Sequence, residues 1–487
     1  MNRVHSPFII LIAFVLLFPS LAAQSHRGQA VTWGVFSYVR YVASSMSHTY
    51  YATSNGIIRY NKNELRWEYP LTGTPGINHT DISRVWVNTF DDELYAQTTE
   101  GYFQYNDLFE SWRWHEGPPV VTNDTRHLSS LPIFYPPFGF NYAPDLGLID
   151  QTGRTFRVTD VLDDGAGQLW IGTWGYGPAT AGKAGNVLEL LPYGLIQPFV
   201  YDIAFSDTGI WVGGHTGGSA RTGLSVFYPE SNEFDHVETG IDNFFPSSDV
   251  NCLLVNETTV MMGTEDGLYQ YSRELEKVER RYGLRYGLAD DRVRELAWLN
   301  DTVFVGTPYG LDVIAPDSDS VMFLRINSLA GREIYDLEVF DTTLWVVSEV
   351  GVFRYYPSTG KLQEAVDNRL AFAHQVESWD RDLWFALIDE VLRIDTRTGE
   401  TETYPSYTHG VVPDALAVNE SAVFIGSIAG LTMIRHDEKR LTTRTFTSED
   451  GLPAARIRAL EEDGDYVWVG SDGGLTRFLW NNPSRID

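Results

Sequence analysis

Six copies of one short phrase run through the chain: Trp170-Ile171-Gly172-Thr173, Trp211-Val212-Gly213-Gly214, Met261-Met262-Gly263-Thr264, Phe304-Val305-Gly306-Thr307, Phe424-Ile425-Gly426-Ser427 and Trp468-Val469-Gly470-Ser471. Weaker copies centre on Ala52, Ala96, Val347 and Ala386, which makes ten. The third residues of successive copies lie 44, 76, 41, 50, 43, 41, 39, 40 and 44 positions apart. Apart from the 76, these intervals match the repeat of a four-stranded propeller blade. An alternating apolar strand precedes each phrase, as in Tyr335-Asp336-Leu337-Glu338-Val339. A glycine usually follows it, as at Gly267 and Gly430, where a tight hairpin requires positive φ. A helical repeat would instead show a 3.6-residue period and few glycines. The reading is an all-β propeller of four-stranded antiparallel blades, in one large ring of about ten repeat units, with a divided arrangement as the alternative.

The ends of the repeat array suggest how the ring closes. After Gly474-Leu475-Thr476-Arg477-Phe478 only nine residues remain, too few for a fourth strand and its turn. Val31–Phe36, upstream of the first copy, can supply that strand and remove two exposed edges. The long interval holds residues 116–160, which read either as an irregular insertion or as a degenerate blade.

Composition narrows the class of protein. The 487 residues carry 65 Asp+Glu against 36 Lys+Arg, a net charge of −29, which argues against a nucleic-acid grip because phosphate binding needs clustered cations. Residues 1–23 have a basic start, an apolar run at Phe8–Phe18 and small residues at Ala22 and Ala23. They read as a secretory signal peptide, leaving a mature propeller of residues 24–487 without a membrane span, periplasmic or secreted. The lone Cys252 lies in an apolar strand and reads as a small buried hydrophobe, so the exported chain is stabilised without an internal disulfide.

Asp163-Asp164-Gly165-Ala166-Gly167-Gln168-Leu169-Trp170-Ile171-Gly172-Thr173, with Gly287-Leu288-Ala289-Asp290-Asp291 and Ser448-Glu449-Asp450-Gly451-Leu452-Pro453, resembles the two-component regulator propeller repeat. That resemblance implies an extracytoplasmic propeller with a binding role. Kinase signalling does not carry over, because no kinase follows the repeats.

Functional residues are sought where the hairpin after the phrase is longest. The distance from the third residue of the phrase to the start of the next strand is four or five in most copies. It grows to ten at Gly213–Gly223 and fourteen at Gly172–Asn186. Long loops on a rigid scaffold often carry function. Trp174 and Tyr176 offer stacking faces, and Lys183, His215 and Arg221 offer donors or charge, so these five are the candidate ligand-binding residues. Gly177–Lys183 imitates the start of a phosphate-binding loop, but Ala184 stands where Ser/Thr is required and a strand follows instead of a helix. No motif assembles a catalytic set, a metal site or a cofactor site. The expected function is a non-catalytic, exported binding or scaffold propeller for a peptide, glycan or envelope protein. The alternative is a carbohydrate-active hydrolase or lyase with its site at the channel mouth.

Overall fold

In the computed structural model, residues 30–481 are described apart from 78–79, 124, 144–146, 186, 219–220, 239–248, 316–323, 366, 407–409 and 437–441. The signal-peptide reading at 1–23 lies outside the described residues. Among the described residues ten antiparallel sheets follow one another, nine of them four-stranded. We number these blades 1 to 10 in chain order: residues 39–67, 84–115, 126–190, 199–238, 250–282, 295–325, 334–364, 373–405, 415–446, and 457–479 joined by Ala30–Trp33. The all-β, blade-repeat fold expected from the sequence is the fold observed.

Glycine and its neighbours reveal who packs against whom. In each strong phrase, a Cβ added to the glycine would strike an apolar side chain on the inner strand of another blade or, for Gly263, just ahead of it. Gly213 meets Val250 at 2.8 Å, Gly263 meets Val293 at 2.5 Å, Gly306 meets Ile334 at 2.8 Å and Gly426 meets Ile457 at 2.8 Å. Each of those contacts runs to the next blade in sequence. Two do not: Gly470 of blade 10 meets Val200 of blade 4 at 2.7 Å, and Gly172 of blade 3 meets Val39 of blade 1 at 2.5 Å. Inner-strand packing agrees, with Phe199–Phe205 against Ile457–Asp463, and Thr155–Asp163 against Val39–Ser44.

The single ring of ten is therefore corrected to a ring of seven, blades 4–10, beside a three-sheet unit, blades 1–3. Each repeat encodes its own hairpins and a small residue for a close neighbour, and any neighbour with Val or Ile at the right place fits. Ala30–Trp33 pairs with Gly474–Leu479, Ala30 opposite Phe478 and Trp33 opposite Leu475, so the chain's start supplies the last strand of blade 10. The three-sheet unit is thus inserted between the strand that closes the ring and the ring's first complete blade. Residues 116–160 extend blade 3, with Phe140–Tyr142, Leu148–Asp150 and Arg126–His127 all joining its sheet.

Gly470→Ala should destabilise the protein by about 1–3 kcal/mol, because the added methyl has to displace both Val200 and Ala459, which stands 3.0 Å away. Chemical denaturation checks this, and Val200→Ala in the same chain should recover part of the loss.

Buried carboxylates bolt the blades in the same order. Asp202 of blade 4 accepts from its own neighbour Ile203 N–H at 2.8 Å and from Leu253 N–H of blade 5 at 2.6 Å. Asp336 of blade 7 does the same with Leu337 at 2.8 Å and Val376 of blade 8 at 2.6 Å. Asp160 of blade 3 reaches Val42 of blade 1 at 2.8 Å, again placing blade 3 before blade 1. Backbone donors that the ladder leaves unused at the inner edge are satisfied in this way.

Candidate functional site

The first residues of the ring's inner strands share a local irregularity. Register shifts fall at Tyr201, Asn251, Tyr335, His374 and Arg458, where two residues oppose one on the second strand. Arg294 and Asp414 hold the matching places, their N–H groups donating to Gly306 and Gly426 at 2.9 and 2.8 Å. A bulge re-aims one side chain out of the ladder. Repeated around seven blades, it brings seven polar or aromatic side chains to one end of the central channel, lining a cavity of about 580 Å³.

Tyr335 and His374 stack at 5.2 Å on one side of this mouth, and burial lowers the His374 pKa, favouring the neutral ring. Opposite them, Arg458 lies over Tyr201 at 4.6 Å and is tied to Asp472. Arg294 is held by Glu265 at 2.6 Å, and Asp414 by Arg456 at 3.0 Å. Deeper in the channel the wall is acidic. Burial raises the pKa of Asp202 and Asp336 to about 7 against the pull of their backbone donors. Burial and then the charges of Asp202, Glu462 and Glu338 push Glu461 up to about 8. Glu295 and Glu377 are also raised well above the usual carboxylate range, chiefly by burial. Among the described residues no group of three or more His, Cys, Asp or Glu side chains is placed to hold a metal ion.

The five residues singled out by loop length are distributed over four places. His215 ends the second strand of blade 4 and stands beside the mouth, stacked at 5.5 Å on Phe199 and 6.2 Å on Tyr201, with Nδ1 2.5 Å from Asp249. Trp174 is 40% exposed and packs on Tyr38 at 5.0 Å beneath Arg40. Between Tyr38 and the Thr216–Gly218 turn, a cleft of about 430 Å³ separates the three-sheet unit from the ring.

Tyr176 and Arg221 come together, but as an internal clamp. Arg221 is buried, lies over the Tyr176 ring at 4.6 Å, and binds Glu238 at 2.5 Å and His236 at 3.1 Å. Burial, then the Arg221 charge, holds His236 down to about 4 and hence neutral. Lys183 sits at the far end of blade 3, 2.7 Å from both oxygens of Asp163. The reason is that residues 174–185 are not one loop. Pro178–Gly182 forms the third strand of blade 3, paired with Gln168–Trp174, and Leu188–Leu190 the fourth.

Tyr201, Arg294, Tyr335, His374 and Arg458 were missed by the sequence reading. Their signal is a pair of residues interrupting alternation between two apolar ones, as in Val200-Tyr201-Asp202-Ile203, Val293-Arg294-Glu295-Leu296 and Ile334-Tyr335-Asp336-Leu337.

No family profile and no curated protein matches the chain. Solved structures similar to it include the extracellular domain of the hybrid two component system BT4673 from B. thetaiotaomicron, at 15% identity and TM-score 0.48, covering 92% of this chain and 70% of that one. PorZ, a bacterial surface component of the type-IX secretion system of Porphyromonas gingivalis, is similar at 15% identity and TM-score 0.49, covering 91% of this chain and 68% of PorZ. Virginiamycin B lyase from Staphylococcus aureus is similar at 15% identity and TM-score 0.46, over 57% of this chain and 94% of the lyase. Among the described residues no helix is long and apolar enough to cross a membrane.

Proposed function

We propose that this chain is an exported, non-catalytic binding propeller of the two-component regulator propeller type, working in the periplasm or outside the cell. It engages a peptide, glycan or envelope-protein segment at the mouth of the seven-blade ring. The observation that carries this reading is the repeated bulge, which turns one side chain per blade toward a common mouth whose walls are rigid inner strands. Such a constellation combines stacking faces at Tyr335, His374 and Tyr201 with fixed guanidinium groups at Arg294 and Arg458. That mixture suits an extended polar ligand presenting apolar faces. The hydrolase alternative requires carboxylates free to move protons. Asp414 at the mouth is paired with Arg456, and Asp202 and Asp336, the next residues inward from their bulges, spend both oxygens on backbone N–H groups of their own and the adjoining inner strands.

A panel of polysaccharides and peptides, scored for binding and for product formation with the mature protein, tests the proposal. The Tyr335→Ala, His374→Ala double variant should lose about tenfold or more in affinity, because both side chains line the cavity, and should stay folded with a modestly lowered thermal midpoint, since Tyr335 also rests on the core between blades 7 and 8. Turnover of any glycan, or a ligand that binds the double variant as it binds the parent, would overturn it.

A further inference from the structure

The three-sheet unit runs blade 3, blade 1, blade 2, and its two ends are finished differently. At the blade 3 end the insertion folds back, and Leu131, Phe134 and Leu148 bury Ile171 and Ala181. At the other end one face of blade 2 packs on blade 1 through Val85, Leu94, Ala96 and Phe103. The register sets two rows of side chains across all four strands of the opposite face. Trp86, Tyr95, Gln104 and Arg113 make one row, and Arg84, Gln97, Tyr102 and His115 make the other. None of them belongs to an apolar core among the described residues. Gln97, one residue before the hairpin pair Thr98–Gly101, stands where Ala52, Gly306 and Gly426 admit the next blade, so this face is closed to a further blade. The rings touch one another, Trp86 and Tyr102 at 5.9 Å and Tyr95 and His115 at 5.1 Å, and Gln104 donates to the Tyr95 hydroxyl at 3.2 Å.

Both arginines are exposed, and their hydrogen bonds go to neutral acceptors: Arg84 donates to the Tyr41 hydroxyl at 2.8 Å and Arg113 to Gln104 Oε1 at 3.0 Å. Among the described residues neither is paired with a carboxylate. Glu93, at the border of the face, accepts from the side-chain amides of Gln104 and Asn88. Two guanidinium groups without a carboxylate, on a chain of net charge −29, favour an anion from outside. The array measures about 15 Å across the strands and about 10 Å along them, well under the ~800 Å² that each partner of a stable protein interface buries. We propose that the open face of blade 2 binds an anionic polysaccharide, its sugar rings lying on Trp86 and Tyr102 and its carboxylate or sulfate groups on Arg84 and Arg113. A pyranose has an apolar C–H face for an aromatic ring and hydroxyls for amides such as Gln97 and Gln104, and a flat sheet presents both at once. A face finished only for water would carry charges in place of three aromatic rings. The site is separate from the mouth of the seven-blade ring and stands or falls on its own.

Calorimetric titration of the purified protein at low salt with polygalacturonate oligomers, dextran sulfate, neutral dextran and polyglutamate tests the inference. Saturable binding of at least one of the two anionic glycans is expected, weakened about tenfold or more by the Arg84→Ala, Arg113→Ala pair and by Trp86→Ala. Arg381→Gln, an exposed change on blade 8, should leave it unchanged. Binding of polygalacturonate assigns a carboxylate as the recognised group, and binding of dextran sulfate alone assigns a sulfate. Should Trp86→Ala fail to fold, the exposed arginine pair, checked by an unchanged circular dichroism spectrum, decides in its place. Binding of neither anionic glycan, affinity indifferent to these changes, equal affinity for neutral dextran, or polyglutamate bound as tightly as the glycans would overturn the inference. The Tyr335→Ala, His374→Ala variant should bind these glycans as the parent does, and a ligand of the mouth is therefore scored in the Arg84→Ala, Arg113→Ala background, where this face is silent.

Discussion

Trp33→Ala should cost about 3–5 kcal/mol, the range for deleting a buried aromatic side chain, and loosen the ring at its seam. Trp33 has no exposed surface. It packs on Phe227 of blade 4 at 4.5 Å, on Trp468 of blade 10 at 5.8 Å and on Tyr69 beyond blade 1 at 5.9 Å. Its indole N–H donates to Asn232 Oδ1 at 3.0 Å and approaches the Tyr193 hydroxyl at 3.2 Å. One side chain therefore ties the closing strand to both blades that flank the seam and to the three-sheet unit. Removing it leaves a cavity and takes a donor from two buried acceptors. Equilibrium denaturation measures the loss, and hydrogen exchange should rise first along Gly474–Leu479, the strand that Ala30–Trp33 covers. Trp33→Phe retains much of the packing but not the donor, and should cost about 1–3 kcal/mol. A Trp33→Ala protein as stable as the parent would mean that the ring is held elsewhere.

The stability of the protein should fall as pH rises from about 5 to 9. Carboxylates in the unfolded chain titrate near 4. In the folded protein Asp202 and Asp336 titrate at about 7 and Glu461 at about 8. Their folded pKa values are raised, so between those limits the native state holds more protons than the unfolded one. Their contribution is full below the unfolded value and is lost as pH rises through the folded value. His48 adds in the same direction. Its hydrogen bonds to Asp92 and Glu68 raise it to about 9, so its stabilisation is complete below its ordinary value near 6.5 and is lost on the way to 9. Glu461→Gln separates the channel from His48: it should flatten the stability-pH slope near neutrality by up to about 1.4 kcal/mol per pH unit, the weight of one proton. Urea melts at successive pH values decide it. A parent protein whose stability climbs between pH 6 and 9 would contradict the raised channel acids.

The candidate site was only partly legible beforehand. His215, chosen for the length of its hairpin, stacks on Tyr201 beside the mouth. Lys183 was misplaced because the spacing from Gly172 to Asn186 conceals a strand, Pro178–Gly182, whose small residues Ala179, Thr180, Ala181 and Gly182 resemble a flexible loop until they are seen paired with Ile171, Trp170, Leu169 and Gln168. Arg221 and Tyr176 were selected for exposed chemistry and are used internally, because burial depends on the packing of blade 3 against blade 4.

What the sequence determined by itself is everything local to one repeat. The Gly that admits a neighbouring Val or Ile, the hairpin glycines, the alternation of the strands and the missing final strand all act within some forty residues, so all are written in consecutive residues. The number of blades in the ring was decided in three dimensions. Whether Gly470 receives Val39 or Val200, and whether Gly172 receives Val39 or an intervening blade, is a choice among chemically equivalent partners. It was settled by the total packing around Trp33, Tyr193 and Phe227. The channel likewise belongs to no single repeat, since its mouth and acidic wall exist only once the first strands of seven blades converge on one axis.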